Sequence, residues 1–381
     1  MISKTVKLIL VLSIGAIFMG CGSEDTSERS INTNNSSTDE TTTNGNTITH
    51  STTPFIVKIK PNRRHIIRLY GGDNFNYDVD WGDGTSDTIT SEQKEHTYLN
   101  SEIYTISIKG VYPKVNLNCG RGYTDLISVE QWGDTEWISM KEAFSGCKNM
   151  KIEALDTPSL THVTDMSHMF EGASNFNQDI NSWNVSKVKD MSFMFHDASK
   201  FNQDISSWDT SSVKNMYWMF TKASDFNQDI GSWSVSKVKN MEFMFGYAKS
   251  FNQDISSWDI SSVEKIGGLF FDAEKFNQDI SSWDISKINS LQEMFKDAYT
   301  FNQDLSSWNF SNIDNMIDFM ENSNLSTTNY DKLLRAWVSG DIQDNVSLSV
   351  GDTKYNKQAE STRFELINQH GWSITDGGLN N

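Results

Sequence analysis

The stretch Phe-Asn-Gln-Asp-Ile occurs at Phe176–Ile180 and returns at Phe201, Phe226, Phe251 and Phe276, with Leu305 closing a sixth copy that starts at Phe301. Each copy begins 25 residues after the last, without an insertion. A fixed period of this length marks units that stack, because one unit alone cannot bury its apolar side. The rest of the unit carries the same signal. Trp recurs as Trp183, Trp208, Trp233, Trp258, Trp283 and Trp308, and a Ser follows each three residues later, from Ser186 to Ser311. Val188, Met191, Met194, Phe195 and Ala198 then fall at offsets that trace one face of a helix, with Ser186 as a natural N-cap. Ala173, Ala198, Ala223, Ala248, Ala273 and Ala298 form a close-packing column. Each unit therefore predicts a short extended segment around Asp-Ile-Ser-Ser-Trp, a turn and a short helix. The expected fold is an α/β repeat solenoid of about eight turns over residues 118–322. Strands stack about 4.8 Å apart and helices about 8–10 Å apart, so such an array should curve with its strands inside.

The period reaches back beyond the obvious copies. Met140, Phe144, Cys147 and Met150 occupy the columns of Met166, Phe170, Ala173 and Phe176, and Trp132 precedes Met140 as Trp183 precedes Met191. Cys147 thus sits in the alanine column and reads as a buried packing residue. Whether it pairs with Cys119 in an oxidising compartment stays open, since the two fall in different elements.

The N-terminal residues carry a different message. Lys4 and Lys7 precede an apolar run, Leu8–Met19, which is shorter than the ~20 residues a bilayer span needs but suits a signal peptide. The run ends Gly20-Cys21 and resembles the bacterial lipoprotein signal, although Met19 stands where a smaller residue is usual. That resemblance makes residues 1–21 a cleaved leader and Cys21 the lipidation site that attaches the chain to a membrane. Residues 22–53 are Ser, Thr, Asn and acidic residues with almost nothing apolar. They are expected to be a disordered tether, on the order of 30 Å in span.

From Pro54 the pattern alternates. Phe55, Val57 and Ile59, then Tyr77, Val79 and Trp81, then Tyr104, Ile106 and Ile108 predict short strands, with Gly82-Asp83-Gly84 as a turn. Residues 54–117 are expected to form a small all-β sandwich. Val79-Asp80-Trp81-Gly82-Asp83-Gly84, His96-Thr97-Tyr98 and Ile103–Ile108 resemble the PKD domain, an extracellular immunoglobulin-like spacer or interaction module. Asp78, Asp80, Asp83 and Asp87 are oxygen donors of the kind calcium takes, but carboxylates at such a turn also cap backbone N–H groups.

The 25-residue unit itself, Phe-Asn-Gln-Asp-Ile, Ser-Trp and Val-x-x-Met-x-x-Met-Phe-x-x-Ala, resembles the repeat of BspA-like surface proteins, relatives of leucine-rich repeats found in bacterial lipoproteins and adhesins. The resemblance implies a leucine-rich-repeat-like solenoid and a binding role. Gly267-Gly268-Leu269 and Phe319-Met320 depart from the pattern. Residues 323–381 break the period and resemble the segment that follows such repeats; they are expected to form an α/β C-terminal cap.

The chain carries 32 Lys and Arg against 50 Asp and Glu, a formal charge of −18, which excludes nucleic acid as an expected partner. No nucleophile, base and orienter stand together, and no His or Cys pair has metal-ligand spacing. No catalytic, cofactor-binding or metal residues are therefore assigned, and an enzyme is not expected. Two columns offer alternatives. Asp179, Asp204, Asp229, Asp254, Asp279 and Asp304 either close turns or form a stripe for calcium or a basic partner. The Trp column either fills the core or stands out as a ladder for sugars. Specificity is expected where copies differ, as at Asn175, Lys200, Asp225, Lys249, Lys275 and Tyr299. The expected protein is an exported membrane lipoprotein of the outer membrane or cell surface, anchored through Cys21 and binding a protein or host surface. A glycan binder and a passive spacer are the alternatives.

Overall fold

A computed structural model describes residues 42–43, 46–47, 51–61, 66–69, 75–90, 94–117, 119 and 124–380. The leader with Cys21, and most of the tether, lie outside the described residues; within the tether β1 (Thr42–Thr43) and β2 (Asn46–Thr47) pair antiparallel. Residues 40–381 form one compact unit.

Alternating apolar residues give the first elements. In β3 (Phe55–Pro61), Phe55, Val57 and Ile59 are fully buried, and β5 (Asn76–Asp80) buries Tyr77 and Val79. Together with β6 (Ser86–Ile89), β8 (Tyr104–Val111), β9 (Thr124–Gln131) and β10 (Lys151–Ile152) they form a six-stranded mixed sheet in the order β10-β9-β3-β8-β5-β6. A second, two-stranded sheet pairs β4 (Ile66–Leu69) with β7 (Lys94–Thr97). The self-contained β-sandwich expected for 54–117 is not what forms. β3 bonds β8 along one edge and β9 along the other, so the sheet runs past residue 117 into the first repeats. An open first repeat needs backbone partners, and the free edge of β3 supplies them.

The expected α/β solenoid is not formed either. Only two α-helices occur among the described residues, α1 (Thr327–Ser339) and α2 (Glu360–Asn368), and both follow the repeats. Apart from one short 3-10 turn, the other named elements are strands, most of them in the six-stranded mixed sheet. Where helices were expected, the chain makes successive tight turns. Met194 N–H donates back to Met191 O at 3.2 Å, His196 to Phe193 at 3.1 Å and Ala198 to Phe195 at 3.0 Å. The alternate N–H groups leave the unit altogether: Met191 donates to Asn215 O at 3.0 Å, Phe193 to Tyr217 O and Phe195 to Met219 O at 2.9 Å. Phe193 and Asp197 accordingly lie at φ +56° and +58°, in the left-handed region that an α-helix cannot contain.

Two facts explain why the helical reading fails. An apolar residue every third position fits a chain of three-residue turns as well as a helix face. The unit spacing then decides. Phe170, Phe195, Phe220, Phe245, Phe270 and Phe295 stack 5.5 to 5.9 Å apart, and Phe176, Phe201, Phe226, Phe251, Phe276 and Phe301 about 6 Å apart. Helices need ~8–10 Å, so none fits at this step. The unequal spacing expected to curve the array is absent with them.

The polar residues of Phe-Asn-Gln-Asp-Ile close this arrangement. Asn227 Oδ1 accepts from Asn252 N–H, Asn252 from Asn277 and Asn277 from Asn302, each at 2.9 Å. Gln253, Gln278 and Gln303 donate their amides to the same oxygens at 2.9 to 3.0 Å. Beyond the last copy Ser326 N–H and the Asn329 amide take those two places on Asn302, at 2.8 and 3.1 Å. The C-terminal segment therefore continues the ladder before it covers the core. Ser326 caps α1, whose Tyr330, Leu333, Leu334 and Trp337 are buried. β11 (Asn315–Met316), β12 (Ser347–Ser349) and β13 (Ser373–Thr375) add a small parallel sheet.

At the other end Cys119 and Cys147 form a disulfide, their Cα atoms 4.8 Å apart. Cys147 does occupy the buried column, but it is bonded and not merely packed. Cys119 N–H donates to Ser145 O at 2.8 Å, so the segment before β9 already lies beside the first repeat.

Two outcomes follow for stability. Asn252→Ala removes one acceptor from two donors in the next unit and should cost about 1–3 kcal/mol in denaturant unfolding, whereas Asn252→Asp, which keeps an acceptor, should cost less. Breaking the Cys119–Cys147 loop, of sequence separation 28, should cost about 3 kcal/mol. A reducing agent should lower the midpoint of the wild type and leave a Cys119→Ser/Cys147→Ser variant unaffected.

Candidate functional site

The columns singled out from the sequence are mostly consumed by the fold. Each Asp of the Asp179–Asp304 column accepts the N–H two residues ahead, at 2.9 to 3.0 Å, which closes a turn. Asp304 also pairs with Lys332 at 2.7 Å. Backbone hydrogen bonds from Ser206, Ser256 and Ser281 hold the carboxyls of Asp204, Asp254 and Asp279 below their ordinary value. Among the described residues no group of three or more His, Cys, Asp or Glu is placed to hold a metal ion. The Trp column is buried at 3 to 5 % exposure. Trp208, Trp233, Trp258, Trp283 and Trp308 donate Nε1–H to the Ile carbonyl of the previous unit at 3.0 to 3.2 Å, so no ladder is offered to a sugar.

The four acidic residues of the β region are engaged too. Asp80 accepts Gly82 N–H at 2.9 Å, Asp83 accepts Thr85 N–H at 3.0 Å and meets His96 at 2.8 Å, Asp87 takes Trp81 Nε1–H at 2.9 Å, and Asp78 takes the Thr88 hydroxyl at 2.6 Å. Of the positions where copies differ, Lys200 pairs with Asp225 at 3.0 Å, and Lys249 with Glu274 at 2.6 Å and Asp272 at 3.5 Å. Asn175 donates to Asn149 at 2.7 Å. These are exposed links between neighbouring units, each worth little alone. Lys275 and Tyr299 are exposed.

A different set of positions escapes this consumption. Between the two Met columns lies a pair whose identity changes in every unit: Ser192-Phe193, Tyr217-Trp218, Glu242-Phe243, Gly267-Gly268, Gln292-Glu293 and Ile317-Asp318. The second member always has a positive φ, between +53° and +62°. Gly or Asn adopts that conformation readily, whereas a bulky residue there costs on the order of 1 kcal/mol. Phe193, Trp218 and Phe243 occupy it nonetheless, and all three are half-buried at the surface. His168, from the unit before, stacks on Phe193 at 4.5 Å; Phe193 meets Trp218 at 5.7 Å and Trp218 meets Phe243 at 5.3 Å. An aromatic stretch four units long thus runs along one face, with Tyr217, Tyr247 and Phe271 beside it. The helical reading placed these residues away from the apolar stripe and so passed over them.

At the start of the stretch Glu171 lies between two histidines, 2.7 Å from His168 Nδ1 and 3.5 Å from His196 Nδ1. Burial pushes its carboxyl up, but the hydrogen bond with His168 and the nearby His196 ring outweigh this and leave it at about 2. Three hollows lie on the same face: about 310 Å³ beside Phe75, Lys114, Lys141 and Glu142, about 270 Å³ beside Phe243 and Gly267, and about 370 Å³ beside Ile317 and Asp318.

Residues 138–248 and 228–337 match a family described as a Mycoplasma protein of unknown function, DUF285. The matched spans cover more than half of the chain. The chain belongs to this family. No protein in the curated comparison matches it. The DUF285 spans include every unit that carries the aromatic stretch, together with the disulfide-bonded Cys147 and most of α1.

The carboxylates of Asp204, Asp254 and Asp279 predict an acid response of this DUF285 chain. Their folded values lie below the ordinary 3.8, so their contribution is complete above that pH and is lost as pH falls through the lower folded values. The melting temperature should change little from pH 7 to pH 5 on their account and fall below about 3.8. An Asp204→Asn/Asp254→Asn/Asp279→Asn variant keeps the turn acceptors and should show a blunted acid transition with little change at pH 7.

Proposed function

We propose that this DUF285 protein is an exported lipoprotein, attached to the outer membrane or cell surface through Cys21, that displays its repeats to bind another protein. Catalysis is no part of the proposal. The observation that carries it is the variable pair between the Met columns: the backbone is held in one conformation, while the side chains change from unit to unit. Loops on a rigid scaffold are where binding residues concentrate, and exposed rings on such a scaffold are the usual anchors of protein interfaces. The Cys119–Cys147 disulfide supports export, since such bonds persist in oxidising compartments. The PKD-like and BspA-like stretches support display on a cell surface. A glycan ladder is not favoured, because the indoles it needs are inside.

The test uses the full chain in intact cells. A membrane-impermeant biotin reagent should label it, Cys21→Ser should release it from the membrane fraction, and Cys119 and Cys147 should resist alkylation. Recovery in the cytoplasm with free thiols would overturn the proposal. Immobilised full chain should also retain surface proteins that a Phe193→Ala/Trp218→Ala variant with a similar melting temperature does not.

A further inference from the structure

The aromatic stretch stops at one unit. Gly267-Gly268 bears no side chain at either member of the variable pair, and the Phe243 ring lies over Gly268 so closely that a Cβ there would meet it at 2.3 Å. The Phe243 ring fills the space beside Gly268, whereas Gly267 borders an open hollow of about 270 Å³. That lies just under the range of ligand pockets, roughly 300–1,000 Å³, and leaves room for a single long side chain. Phe243 lines one side. Glu242 lies in the unit before and Glu293 in the unit after; Lys296, whose closer partner is Asp318 at 2.6 Å, also feels the Glu293 charge. Glu264, a third lining carboxylate, is paired with Lys239 at 3.0 Å, and Lys265 is the lining cation.

Resting on the surface-binding reading above, we propose that this hollow anchors a protein partner by taking one of its Lys or Arg side chains, while apolar residues of the same segment lie along Phe193 and Trp218. Charge complementarity selects this occupant. A cation over the Phe243 ring, flanked by carboxylates from two units, gains from both. The chain's net charge of −18 steers a basic segment toward it and repels an acidic one. Long basic side chains also lay their methylenes on aromatic surface while the charged head reaches outward.

Gly267 provides the test. Its backbone conformation is ordinary, and an added Cβ would touch only Gln292 O at 3.4 Å, so Gly267→Tyr fills the hollow as Tyr217 fills the same position two units earlier. A fluorescein-labelled peptide of alternating Arg and Leu is titrated into the full chain at physiological salt and followed by anisotropy. Gly267→Tyr and Glu242→Gln/Glu293→Gln should each weaken binding about tenfold. An Asp341→Asn/Glu360→Gln variant, which removes the same charge elsewhere, should bind like the wild type, and all variants should melt alike. Undiminished binding by Gly267→Tyr overturns the proposal. So does equal loss in the charge-matched control, or equally tight binding of spermine or of a Glu-Leu peptide. If the pocket variants bind normally while Phe193→Ala/Trp218→Ala still loses its retained surface proteins, the surface-binding reading survives and the pocket assignment falls; if neither changes anything, both fall.

Discussion

Side-chain oxygens that accept backbone N–H groups hold this protein together. A repeat unit that forms neither helix nor long strand must still satisfy its peptide groups. The unit that starts at Phe176 does so by three side-chain-closed turns, at Asp179, Asn184 and Asp190, and by Asn177, which reaches the following unit; two units lack one of these closures, where Ser234 and Lys265 replace the Asn and Asp. Through the Met-rich segment the N–H groups alternate between a partner three residues back and a partner in the next unit, while Lys189 and Lys200 donate to the previous one. Asp, Asn and Ser suit this work because their short side chains compete with regular backbone pairing. The same competition keeps the Met-rich segment from becoming helical.

With the backbone satisfied at the rim, the interior can be almost wholly apolar. Two Phe columns, a Trp column and the Met and Ala columns fill it, and the Ala column stays small because Phe195 and Phe201 close to 4.0 Å across it. Burial of aromatic surface supplies the driving force, and the turns give it a register. The ends need separate treatment. A covalent link and a borrowed strand edge close one, and Ser326 with Asn329 closes the other by imitating the next Phe-Asn-Gln.

Much of this was legible from residues alone, and the reasons differ by column. The period, the burial of Trp183 and its repeats, and the turn role of Asp179 and its repeats follow from energetics that one unit already displays. The helix did not follow, because Val188, Met191, Met194, Phe195 and Ala198 satisfy two geometries at once and only the distance between neighbouring units separates them. The Cys119–Cys147 bond was hidden because Cys119 sits in a segment whose path beside the first repeat has no counterpart in the period. The aromatic stretch was hidden for a subtler reason. Phe193 and Trp218 look like residues on the wrong side of a helix until the left-handed turn turns them onto a face of their own.

The Asn252-type contact reaches forward one whole unit and is the same at every step. A chain cut at one Phe-Asn-Gln-Asp and rejoined at the next would therefore make the same contact at the new junction. Length is a free variable for such a protein, adjustable in whole units by recombination between near-identical stretches. What changes with each gain or loss is the order of the side chains between the Met columns. The repeat is thus a mechanism for reshuffling a surface: the framework changes little while the side chains between the Met columns are rewritten.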